Sequence, residues 1–335
     1  MELFTAGAHP LRIEHLRRST LDPAVRRALT SLAGILSNDP ALDPAGISSA
    51  CIALSTWCSS HSAPATAASF AVAAALASPM DPAASVEAGI AAGRARRSVR
   101  AETWFRRAIS LSRGLRRRDS YSQAYVGLGR VMLAREALDA AAAAFRRAER
   151  AARRGQLRDE LSAALQAQFE LALRAGRPDD AERLAAAIPR VFAPADPRRF
   201  AATRPVAATW LDAGHPVRAR DSLRPALRAA TDPEERVRLH VLAIRAASAL
   251  GDDAAVADAW SRAESLASRL PAAPAAAAHL QLAIAAVAIR DRDRLVHAGS
   301  LALELANAAR DPALAAEVRA LLSTARSIPG PARFG

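Results

Sequence analysis

All 46 basic residues of the 335-residue chain are arginine, and there is no lysine. Guanidinium is a permanent cation whose fork of N–H donors matches carboxylate and phosphate. A GC-rich coding sequence also raises arginine, together with alanine, and the chain holds 88 alanines. Placement therefore says more than number. Residues 94–158 hold 18 Arg against 5 acids, a net +13, while 1–93 sum to −2 and 159–335 to +2. Arg100, Arg106, Arg107 and Arg113 fall in one helical stretch, followed by Arg116, Arg117 and Arg118. Arg146, Arg150 and Arg153 recur at i, i+4 and i+7, which places them on one helix face. Such a basic ridge could meet an acidic protein or a nucleic acid.

Other chemistry is sparse. The sequence has no GxxxxGK[ST], no HExxH and no GxSxG, and Gly127-Leu-Gly129 does not follow a strand. The seven histidines (9, 15, 61, 215, 240, 279, 297) are scattered, and His9 and His15 have no cysteine beside them. Cys51 and Cys58 lie seven apart in a helical stretch, about 10 Å along the axis. That exceeds the roughly 7 Å between Cα atoms that a disulfide spans, so they read as small buried hydrophobes. Glu234 and Glu235 suit a first helical turn, where the helix dipole favours acids. Trp104, between Arg100 and Arg106, is the one aromatic placed to stack on a base. No catalytic residue, cofactor or metal site is expected, and the chain reads as a non-enzyme.

The elements that must carry these residues are helices. Hydrophobic residues make up 51% and aromatics only 4%. Strands favour aromatic and β-branched residues, whereas alanine loses no side-chain entropy in a helix. Asp22-Pro23, Asp43-Pro44, Asp81-Pro82, Asp232-Pro233 and Asp311-Pro312 mark helix starts, since Asp caps free amides and Pro suits the first turn. Gly176, Gly214 and Gly251 sit where a C-capping glycine is wanted. Residues 44–80 lack Asp, Glu and Arg, as does Leu270–Ile289. Alanine is too weakly apolar to drive insertion, so both stretches read as buried helices and no membrane insertion is expected. The N-terminus has no signal-peptide core, and two unpaired thiols suit a reducing compartment. A cytoplasmic location is the expectation.

The helices repeat. In residues 122–155, Tyr125, Leu128, Gly129 and Met132 share one helix face, and Ala141, Phe145 and Ala148 share a face of the next. The second half recurs at Ala101/Phe105/Ala108, Ala181/Ala185/Ile188, Ala219/Leu223/Ala226, Val256/Trp260/Ala263 and Leu295/Gly299/Ala302, with Gly89 as the small residue upstream of the first. The anchors 101, 141, 181, 219, 256 and 295 are spaced 40, 40, 38, 37 and 39. First helices are placed near 82–97, 121–135, 158–175, 198–213, 233–250 and 273–290. Second helices are placed near 99–114, 137–154, 178–189, 216–229, 252–269 and 292–309. Further helices are placed near 10–18, 22–37, 45–60 and 62–78.

This pattern resembles the tetratricopeptide repeat (TPR), with a period longer than the family's and Arg153 where the terminal proline is common. The resemblance implies an all-α solenoid of stacked antiparallel helix pairs, a TPR-like right-handed superhelix. Residues 1–80 would be an N-terminal helical cap or divergent first repeat, and 81–310 the repeats. Residues 311–335 would be a capping helix near 312–326 and a loose tail. In this family the first helices line a concave groove where ligands lie. Carried over, that groove presents Gln123, Val126, Arg130 and Leu133, then Gln166 and Glu170, then Arg204, then Arg238, Val241 and Arg245. The family's carboxylate-clamp pattern of Lys and Asn is not reproduced. The implied function is a scaffold or adaptor binding an acidic peptide or helix of another protein. Two alternatives stand beside it: nucleic-acid binding through 94–158, and a sensor role in a bacterial regulatory system.

Overall fold

The computed structural model describes residues 9–18, 22–33, 43–60 and 63–327. These residues form helices joined by short turns and connections, with no strand among them. The His9 and His15 side chains, His61, residues 34–37 and the loose tail lie outside what is described. By contact the chain divides into two compact units, Met1–Gly176 and Arg177–Gly335.

The first unit holds α1 (His9–Arg18), α2 (Pro23–Ala33), α3 (Pro44–Ser60), α4 (Pro64–Ala77) and α5 (Pro82–Arg94). It continues with α6 (Ser98–Gly114), α7 (Arg118–Ala134), α8 (Leu138–Gly155) and α9 (Arg158–Arg174). The second unit holds α10 (Pro178–Ala187), α11 (Arg198–Asp212), α12 (Pro216–Ala229) and α13 (Pro233–Ala249). It ends with α14 (Asp253–Ala267), α15 (Ala272–Ala288), α16 (Arg292–Ala308) and α17 (Pro312–Ser323). The sequence placed α10 to 189, but it stops at Ala187, and Pro189–Val191 form a 3-10 turn.

The aspartates start helices as their chemistry predicts. Asp22 accepts from the Ala24 amide at 2.7 Å, Asp81 from Ala83 at 2.9 Å, Asp232 from Glu235 at 2.9 Å and Asp311 from Leu314 at 2.9 Å. Asp43 accepts from Gly46. Each satisfies an amide that has no partner within its helix, worth about 1 kcal/mol.

The helix ends share one device. Residues 96, 116, 136, 156 and 176 all have φ between +54° and +65°, at intervals of 20. After each of the first four, the next amide reaches back to a carbonyl five residues earlier: Arg97 to Ala92, Arg117 to Ser112, Ala137 to Met132 and Leu157 to Ala152. This is the Schellman closure. The same closure joins His215 to Trp210, Asp252 to Ala247, Asp291 to Ala286 and Asp311 to Ala306. Two 20-residue helix-and-turn segments thus make the 40-residue period. A reversal this short sends each helix back antiparallel against its predecessor.

Packing follows the repeat. In the first unit α5 packs on α7 and α7 on α9, so the odd-numbered helices form one layer. In the second unit α11, α13, α15 and α17 do the same. The second-helix anchors read from the sequence, Ala101 through Ala302, are all buried. Phe105 lies between Gly89 of α5 and Gly127 of α7, and a Cβ added to Gly89 would come within 2.6 Å of its ring. The hydroxyl of Ser122 on α7 donates to the Ala148 carbonyl of α8 at 3.0 Å, inside the pair. The neutral stretches at 44–80 and 270–289 form α3, α4 and α15, which bury one face, with Ala50, Ala71, Ala75, Ala276 and Ala283 among the buried alanines, while Ala45, Ala73 and Ala277 are exposed. Among the described residues no helix is long and apolar enough to cross a membrane.

Candidate functional site

Helical period decides which side chains of the odd-numbered layer face outward. In the second unit Arg204 of α11 and Arg238, Val241 and Arg245 of α13 fall on the same side. With Pro205, Val237, Ile284 and other residues of α11, α13 and α15 they line a cavity of about 550 Å³. Its floor is apolar: Val237 and Val241 are buried, and Ile284 remains 40% exposed.

Arginines surround that floor, and each is held by a carboxylate. Arg204 donates to Glu235 at 2.7 Å, bridging α11 to α13. Arg245 returns the bridge from α13 to Asp212 of α11 at 3.0 Å. Arg238 lies 3.1 Å from Glu234 and 3.5 Å from Glu235 within α13. Three guanidiniums thus balance three carboxylates, so the cavity offers paired charges beside an apolar floor. The sequence singles out Glu234 and Glu235 only as first-turn acids, and not their pairing with arginine, Asp212, the exposed Ile284 or the contribution of α15. The helix register holds that signal: Gln281 lies one turn before Ile284 and Ala285 on a first helix.

The first unit repeats the device. Gln123 of α7 donates to Glu160 of α9 at 3.1 Å, and Arg130 of α7 pairs with Glu170 of α9 at 3.5 Å. Gln166, expected on this surface, is instead buried within α9.

The basic segment is divided by its partners. Glu102 holds Arg106 at 2.7 Å and Arg135 at 2.6 Å. The bond from Arg135, more than any other contact, keeps the Glu102 carboxyl below its usual range. Arg153 pairs with Glu149 at 2.9 Å. Arg107 donates to the Pro79 carbonyl at 2.9 Å and stacks over Trp104 at 5.4 Å, which leaves Trp104 half-buried. Arg113 lies over the Tyr121 ring at 6.0 Å. Arg100, Arg146 and Arg150 are exposed and form no ion pair among the described residues.

Among the described residues no cluster of three His, Cys, Asp or Glu could hold a metal ion. Cys51 and Cys58 are free thiols buried on α3, and burial raises both their pKa values. His240 is buried, with no hydrogen-bond partner for Nδ1, and burial lowers its pKa to about 4.

No family model matches the sequence, and no curated protein matches it. Solved structures do match. Yeast Tom70 aligns with a TM-score of 0.54 and 16% identity, over 96% of this chain and 58% of the Tom70 chain, so this chain spans less than two thirds of that protein's length. A Rap protein complexed with Competence and Sporulation Factor aligns with a TM-score of 0.52 and 10% identity, over 96% of this chain and 98% of the other. Identities this low carry the fold alone. Stacked helix pairs with small residues at each close approach, together with these alignments, make the chain a TPR-like α-solenoid protein by fold.

Proposed function

We propose that this chain is a non-enzymatic protein-interaction module of a reducing, cytoplasmic compartment. Its site is the groove of the second unit, formed by α11, α13 and α15. The observation that carries this reading is the apolar floor, open at Ile284 and ringed by Arg204, Arg238 and Arg245. Such a surface suits a peptide or helix that inserts an aliphatic side chain and exchanges its own carboxylate for Glu234 or Asp212 as an arginine partner. Asp212 and Glu234 are the exposed acids of the ring, so they are the ones displaced at least cost. The Rap protein of like fold, described as complexed with Competence and Sporulation Factor, supports a regulatory form of the same reading.

The test is selection of a randomised displayed-peptide library on the immobilised full chain. Enriched peptides should pair aliphatic with acidic residues, and Ile284→Glu should abolish their binding. Binding that survives Ile284→Glu rejects the groove.

A second reading is supported by Arg100, Arg146 and Arg150, exposed cations without acidic partners on α6 and α8. They would contact the phosphates of a nucleic acid, with steep dependence on salt.

A further inference from the structure

The second unit holds another cavity, on the opposite side of α11 from the groove. Arg204, Pro205 and Ala208 face the groove, whereas Thr203, Val206 and Trp210 line the other space. That space arises because one second helix is cut short. α6, α8, α14 and α16 run 15 to 18 residues, but α10 has only 10. Pro189 opens the 3-10 turn that replaces its last turns, and the chain then crosses to α11. Beside α12, where another two turns of helix would lie, a cleft of about 590 Å³ remains. Sites for small organic ligands run from roughly 300 to 1,000 Å³.

The lining defines the ligand. Trp210 and Val206 are buried and form the floor, and Phe200 forms one side. Arg218 of α12 lies over the Trp210 ring at 5.0 Å and is held there by Glu182 at 2.7 Å. Arg190 and Arg199 also line the cleft, and neither makes an ion pair among the described residues. The remaining acid of the lining, Asp221, is engaged by Arg220 at 3.4 Å. Two cations are therefore uncompensated at the rim of an aromatic floor.

The wall is fixed before any ligand arrives. Asp196 accepts from the Arg198 amide at 2.9 Å, and the Arg198 guanidinium stacks over the buried Phe192 at 5.1 Å. The cleft is bordered by α10, the 3-10 turn, α11 and α12.

We propose that this cleft binds a small organic anion with a flat, apolar body. The body would lie beside Phe200 and against the Arg218 guanidinium that covers Trp210, and its carboxylate or sulfonate would pair with Arg190 and Arg199.

The test uses the full-length protein and the aromatic sulfonate anilinonaphthalene sulfonate, whose fluorescence rises on binding and which accepts energy from tryptophan. The expected result is saturable binding with energy transfer that Trp210→Phe diminishes. Arg190→Gln combined with Arg199→Gln should weaken binding about ten-fold or more, with circular dichroism and the thermal midpoint unchanged. Both arginines lie at the rim, so this variant reports on the site even where Trp210→Phe fails to fold. Arg238→Gln in the groove should leave the affinity unaltered. Equal affinity in the double variant overturns the proposal. So does equally tight binding of uncharged phenylnaphthylamine, or loss of sulfonate binding in Arg238→Gln.

Discussion

Arg204 Nε of α11 lies 2.7 Å from Glu235 Oε1 of α13, and the Glu235 side chain is only 10% exposed. One bond therefore links two first helices and neutralises a carboxylate that water barely reaches. Removing the arginine leaves that charge buried, with Arg238 at 3.5 Å as its remaining partner. Arg204→Ala should destabilise the protein by about 1–3 kcal/mol. Arg262→Ala, which breaks an exposed pair with Asp258, should cost less than about 0.5 kcal/mol. Urea denaturation of both variants checks this, and equal midpoints would contradict it.

Gly129 of α7 faces the ring of Phe145 on α8 with no room for a Cβ. Phe145 is fully buried and cannot step aside. Gly129→Ala should therefore cost about 1–3 kcal/mol through overpacking. Gly114→Ala, at a helix end with nothing within 4 Å, should be neutral or stabilising by about 0.5–1 kcal/mol. Thermal unfolding distinguishes them by sign.

Glu136 occupies the left-handed region at φ +61°, the place that Gly251 fills at φ +71° in a later turn. A side chain there costs roughly 1–2 kcal/mol because its Cβ crowds the following carbonyl. Glu136→Gly should stabilise by about 1 kcal/mol, and Gly251→Ala should destabilise by a similar amount. A lowered melting midpoint for Glu136→Gly would refute this account of the turns.

His240 carries a pH dependence with a defined sign. Its folded pKa is about 4 and its ordinary value 6.5, so between those values the unfolded chain binds the extra proton. Stability is full above pH 6.5 and falls as the pH drops toward 4. His279 is shifted in the same direction, first by burial. Denaturation midpoints across that window should decline on acidification, and His240→Leu should flatten the decline. An undiminished slope in that variant would assign the effect elsewhere.

Arg146 and Arg150 offer a separate measure of the basic segment. Nucleic-acid affinity, followed by fluorescence anisotropy on a mixed-sequence duplex, should fall log-linearly with salt. Each phosphate contact contributes a slope of about −0.9. Arg146→Gln with Arg150→Gln should reduce the magnitude of the slope by about 2. A slope that does not change removes these residues from any such contact.

Much of the fold was legible because its determinants are local. Asp-Pro pairs cap helices with their own side chains, and alanine with 3.6-residue periodicity marks one buried face. The anchor series from Ala101 to Ala302 located every second helix from α6 to α16. The 20-residue rhythm of the turns was harder to see, because only Gly176, Gly214 and Gly251 advertise their backbone. Arg96, Arg116, Glu136 and Gln156 adopt the same conformation without a glycine. The Schellman bonds and flanking packing hold them there against their own preference.

By itself the sequence determined an all-helical repeat with close approaches at its glycines and a basic segment at 94–158, since composition and periodicity act along the chain. It also placed Arg204, Arg238 and Arg245 on the first helices. Only the tertiary structure decided that Arg204 and Arg245 meet carboxylates of a neighbouring first helix, that Ile284 joins their groove, and that Gln166 is buried. It alone revealed the cleft left by the short α10. Those facts depend on which side chains helices 30 to 40 residues apart bring together, a distance over which local propensity carries no information.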